Sequence, residues 1–66
     1  MNRRDEIEQI LQFIAEHPES YASLAVCRRA LDGGLERVTG ETISLLEQYL
    51  HQASDEEIDA YYTIVT

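Results

Sequence analysis

Four runs of apolar residues at helical spacing, parted by residues that break or cap helices, constrain this chain more than any other feature. Ile7, Ile10, Leu11 and Ile14 fall at i, i+3, i+4 and i+7, one face of a 3.6-residue period, and Phe13 widens that stripe. Asn2 is placed to cap this helix, and Asp5, Glu6 and Glu8 sit in or near its first turn, where the helix dipole favours negative charge. Pro18 ends it, because the residue before a proline is pushed out of the helical region. The spacing therefore predicts a first helix over about residues 3–16.

Proline is tolerated in a first helical turn, so Pro18 can also open the next element, predicted over about residues 19–32. Tyr21, Leu24, Ala25, Arg28 and Leu31 keep helical spacing, with the stem of Arg28 lying along the stripe, while Ala22, Val26 and Ala30 are small enough to let a neighbouring helix approach. Gly33-Gly34 closes this helix. Residues 33–41 read as a loop or a helical turn; Leu35–Val38 followed by Thr39-Gly40 offers a hairpin as the alternative.

A third helix is predicted over about residues 41–52, capped by Thr39 or Gly40. Ile43, Leu46, Leu50 and Ala53 form its stripe, with Leu45 and Tyr49 broadening the face. Ser54-Asp55-Glu56-Glu57 has the pattern of a capping box, in which Ser54 bonds the backbone of Glu57 and Glu57 reaches back to Ser54. It opens a fourth helix over about residues 55–65, with Ile58, Tyr61, Tyr62 and Val65 as its stripe. The fold class expected is all-α: one small domain over residues 1–66, a bundle of three or four short amphipathic helices.

A domain of this size buries only roughly 60% of the surface of its unfolded chain and usually needs a staple. Cys27 is the single cysteine and cannot form an internal disulfide; with His17 and His51 it has no zinc-ligand spacing. Oligomerisation or partner binding is the staple that remains. No apolar run is long enough for a membrane span or a signal peptide, so the expected compartment is the cytoplasm.

Charge narrows the function classes. There are 13 Asp and Glu against 5 Arg, giving a net charge of −8, and beyond Arg37 the chain has no arginine or lysine. Such a molecule repels a polyanion, and phosphate neutralisation dominates nucleic-acid affinity, so direct DNA or RNA binding is not expected despite the pair Arg28-Arg29. Arg28 is expected to pair with Asp32 at i, i+4 and Arg29 to be solvated. His17 and His51 have no nucleophile or orienting group identifiable beside them and read as surface residues at helix ends. Cys27, on a face of alanines and valine, reads as a buried, inert thiol. No enzyme, cofactor or metal is expected.

What remains is the densest acidic cluster, Asp55, Glu56, Glu57 and Asp59, with Tyr61 and Tyr62 following. Carboxylates steer a cationic partner and tyrosines anchor it, so Asp55, Glu56, Asp59, Tyr61 and Tyr62 are the expected partner-binding residues. Of the two tyrosines one should be core, since adjacent helical positions point about 100° apart. The function expected is a small acidic protein-binding module, a regulator, inhibitor or adaptor docking a basic surface. If that surface normally holds nucleic acid, the protein acts as a mimic of it. The alternative is an obligate dimer or a small structural subunit.

Thr42-Ile43 with Leu46-Glu47, followed by Ser54-Asp55 with Glu57 and Tyr62, resembles the central two helices of the Hha/YmoA family of small helical gene-expression modulators. The likeness covers roughly a third of the chain, in common cap and amphipathic patterns. The acidity and the shorter connection between helices depart from the family. The resemblance implies binding to a nucleoid-associated silencer.

Overall fold

The caps at the helix starts explain where each element begins in the computed structural model, which describes residues 2–31 and 37–66. Asn2 Oδ1 accepts the Asp5 amide at 2.9 Å and opens α1, Arg3–Glu16. Ser20 Oγ accepts the Ser23 amide at 3.1 Å at the head of α2, Tyr21–Leu31. Thr39 Oγ1 accepts the Thr42 amide and opens α3, Gly40–Gln52. Ser54 Oγ accepts the Glu57 amide at 3.1 Å and opens α4, Asp55–Val65. Each bond satisfies an amide that the helix itself leaves without a partner. Among the described residues the fold is all-helical, as the periodicity predicts, and no helix is long and apolar enough to cross a membrane.

Within each hairpin the two helices, α1 with α2 and α3 with α4, pack less on each other than on the helices of the other hairpin. α1 lies against α4 and α3, and α2 against α3 and α4, with α1 on α4 the most extensive seam. The core between them is Ile7, Ile10 and Ile14 of α1, Val26, Cys27 and Ala30 of α2, Leu46 and Leu50 of α3, Ala53, and Ile58 and Tyr61 of α4. A radius of gyration of 10.4 Å is close to the roughly 11 Å of a compact chain of this length, so this one core accounts for the molecule.

α2 departs from expectation in two ways. Pro18 lies in a turn ahead of the helix, and α2 starts at Tyr21 behind the Ser20 cap rather than at residue 19. Its buried face is Ser23, Val26, Cys27 and Ala30, each two residues on from the predicted Tyr21, Leu24, Ala25 and Arg28, so it lies on nearly the opposite side of the helix. Tyr21 is 86% exposed and Arg28 is exposed, while Leu24, Ala25 and Leu31 are half-buried. Both faces satisfy helical spacing; the one with smaller side chains lets α2 come close to α3 and α4, and it wins. Burying Ser23 is compatible with this because its hydroxyl donates to the His17 carbonyl at 2.6 Å and is bonded to Ser20 Oγ. Cys27 is fully buried, as expected, and burial pushes its thiol above the ordinary range.

On α3 the expected core residues Leu46, Leu50 and Ala53 are buried and Ile43 is half-buried, but Leu45 faces solvent and Thr42 takes a buried place. The Gly33-Gly34 stop, the Arg28–Asp32 pair and most of the hairpin-or-loop segment lie outside the described residues; Arg37–Thr39 precede α3 without helix or strand.

The α4 cap supplies a first prediction. Ser54→Ala removes the partner of the Glu57 amide and should cost about 1 kcal/mol, read as a melting temperature lower by roughly 4–8 °C in a circular-dichroism melt.

Candidate docking face

The acidic start of α4 is the cluster that the sequence singles out, and the structure divides it. Asp55, Asp59 and Tyr62 sit at i, i+4 and i+7 and line one shallow groove between α1 and α4, together with Arg3 and Glu6 of α1. Glu56 lies on the other flank, where α4 faces α2, beside Arg29, Ser54 and Ala60. Asp55, Glu56 and Asp59 are exposed and Tyr62 is half-buried. Tyr61 is 2% exposed and belongs to the core, so the aromatic available at the surface is Tyr62. One tyrosine in and one out is what adjacent helical positions require.

Arg3 is the residue that sequence reasoning passes over. It stands some fifty residues from α4 in sequence, yet its guanidinium closes the corner between α3 and α4. Nη2 donates to the carbonyls of Ala53 at 2.6 Å and His51 at 3.0 Å, with Leu50 at 3.5 Å, and Nε lies 3.5 Å from Asp55 Oδ1. A cation at the last carbonyls of a helix suits the negative end of its dipole. The Asp55 side chain remains 81% exposed, so its pairing with Arg3 leaves it available at the surface.

Glu6 is the second missed residue. Its carboxyl meets that of Asp59 across the α1–α4 seam, and the hydrogen bond between them raises the Glu6 pKa above the ordinary glutamate value; Asp55 adds repulsion of the same sign. Tyr62 Oη donates to Gln9 Oε1 at 3.1 Å, which fixes its ring over the same seam. No local pattern announces these contacts, because they join residues about fifty positions apart.

Glu57 does not behave as the capping box predicts. Its amide is capped by Ser54, but its carboxylate turns inward, where Oε2 accepts hydrogen bonds from the hydroxyls of Tyr49 on α3 and Tyr61, the latter at 2.6 Å. These bonds, Tyr49's first, hold the Glu57 carboxyl below the ordinary range, and Arg29 adds to the effect. Burial, then the bond to Glu57, pushes the Tyr61 phenol up. Glu57 thereby leaves the exposed cluster and becomes part of the frame beneath it.

The remaining polar residues sit as follows. His17 is exposed and its ring lies 4.9 Å from that of Phe13. His51 is exposed, with Nε2 3.9 Å from Glu47. Arg29 is exposed in the last turn of α2. Among the described residues no three His, Cys, Asp or Glu side chains gather as a metal ion would require. No known family model, curated protein or solved structure matches this chain, so the likeness of residues 42–62 to the Hha/YmoA modulators gains no support from comparison.

Proposed function

We propose that this protein works by binding another protein, as a regulator, inhibitor or adaptor, and that it docks a basic surface of that partner on the start of α4. The observation that carries the reading is the groove between α1 and α4, where Asp55, Asp59 and Glu6 meet beside the half-buried ring of Tyr62 in a chain with net charge −8. Asp55 and Asp59 supply exposed charge, Glu56 extends it round the helix, and Tyr62 supplies apolar area at low entropic cost. A partner surface that ordinarily meets nucleic acid would make the protein a mimic of that polyanion.

The test is capture of partners from native lysate by immobilised protein at low and high salt. A true docking partner is retained at low ionic strength, is released as salt screens the charges, and is basic. Asp55→Asn, Glu56→Gln and Asp59→Asn together should weaken its binding by roughly threefold to a hundredfold, on the basis of about 0.2–1 kcal/mol for each exposed ion pair lost, with helicity unchanged. Equal retention of the partner by the triple variant would remove this face from consideration. Light scattering reads the other reading directly: an obligate dimer would appear as twice the mass with no partner added.

A further inference from the structure

The corner between α3 and α4 is built in a way that makes one carboxylate decisive. Only Ala53 and Ser54 separate the two helices, and each packs chiefly on α1 and α2 rather than on the other. The side chains of Tyr49 and Glu57 bridge them directly, and the Tyr61 hydroxyl, carried by a ring 2% exposed, ends on the same Glu57 oxygen.

We propose that Tyr49, Glu57 and Tyr61 form an acid-released latch: the ionised carboxylate of Glu57 holds α4 to α3, and its protonation loosens that corner while the rest of the bundle remains folded. This rests in part on the docking reading, because α4 carries Asp55, Glu56, Asp59 and Tyr62, and a loosened corner would misplace them. The latch itself stands without any partner.

Hydrogen bonds to an ionised acceptor are roughly twice as strong as neutral ones, and both phenols here share one such acceptor. A proton on the carboxyl takes away the charge and turns one oxygen into a competing donor, so the bridge weakens and the buried Tyr61 hydroxyl loses its best partner. Half-exposed hydrogen bonds at a corner belong to the parts of a fold that open locally before the whole does. The groups facing Glu57 are Arg29 from α2, Tyr49 from α3, and Tyr61 and the neighbouring Glu56 from α4. The charged residues α1 turns toward α4, Arg3 and Glu6, meet Asp55 and Asp59 instead. The sign follows from the lowered pKa: the contribution of Glu57 is complete above the ordinary glutamate value and is lost as pH falls through the lower, folded value.

The experiment is an NMR pH titration of the free protein from neutral to strongly acidic, following the rings of Tyr49 and Tyr61 beside the methyls of Ile10 and Leu46. The two rings should shift together, with one midpoint below the ordinary glutamate range, before the methyls move. Glu57→Gln should show the loosened corner at neutral pH, with amide exchange in the first turn of α4 about tenfold faster, and should lack that titration. Tyr49→Phe keeps the Tyr61 bond and the fold, and should raise the Glu57 midpoint toward the ordinary value. Rings that move only together with the core methyls, or a Tyr49→Phe midpoint equal to that of the wild type, would overturn the latch. Because no partner is present, this result is separate from the fate of the docking reading.

Discussion

Ile10→Ala should cost about 2–5 kcal/mol, the largest loss expected of a single substitution in this core. Ile10 is 0% exposed in the middle of α1, the helix that packs on both α3 and α4. Its side chain belongs to the core that those seams share. A chain of this length has a total stability of roughly 3–10 kcal/mol at the usual 0.05–0.15 kcal/mol per residue, so one such cavity removes a large share. Urea unfolding followed by circular dichroism at 222 nm should show the midpoint fall sharply with the slope kept. Leu45→Ala is the matched control: the same chemistry at a site 50% exposed should change stability by less than about 0.5 kcal/mol. Equal losses at the two positions would mean that burial does not govern stability here.

The contrast between Ile10 and Leu45 also shows how far the sequence could be read. For α1, Ile7, Ile10 and Ile14 form the centre of one apolar arc, and Leu11 and Phe13 at its two edges are half-buried, so the arc is buried as the spacing predicts. For α3, Ile43, Leu45, Leu46, Tyr49 and Leu50 span an arc of about 160°, and the packing partners decide which edge, here that of Leu45, is left out. α2 is the extreme case. Its large side chains and its small ones each form a stripe, and periodicity alone has no means of ranking them. Closeness of approach to two helices at once selects Ser23, Val26, Cys27 and Ala30.

The caps were legible for the same reason that α1 was. Asn2, Thr39 and Ser54 act on amides three residues away, and local chemistry is printed in local sequence. The frame of the acidic face was not. Glu57 fits a reciprocal capping box, but two phenols outcompete the Ser54 amide for its carboxylate, one of them from another helix. Glu6 and Arg3 reach α4 from the far end of the chain, and only the α1–α4 seam brings them there.

Arg3 carries the second large effect. Arg3→Ala should cost about 1–2 kcal/mol, which is the figure of about 1.5–3 kcal/mol for a hydrogen bond to a charged group discounted because the side chain is 42% exposed. Two causes compete for that loss, the carbonyls of Ala53, His51 and Leu50 and the carboxylate of Asp55, and the geometry ranks them. The bond to Ala53 is 2.6 Å, whereas the ion pair is 3.5 Å with Asp55 81% exposed, where solvent screens it. A double-mutant cycle of Arg3→Ala with Asp55→Asn should therefore give a coupling of only about 0.2–1 kcal/mol, shrinking further with added salt. Most of the loss should persist at high salt, because it reflects the carbonyls of Ala53 and His51 losing the Arg3 guanidinium. Arg3→Lys should recover only part of it, since one ammonium cannot span the several acceptors that a guanidinium fork reaches. A coupling as large as the whole Arg3→Ala loss would instead make the ion pair the cause, and would tie the stability of this corner to the same carboxylate that the proposed partner is meant to engage.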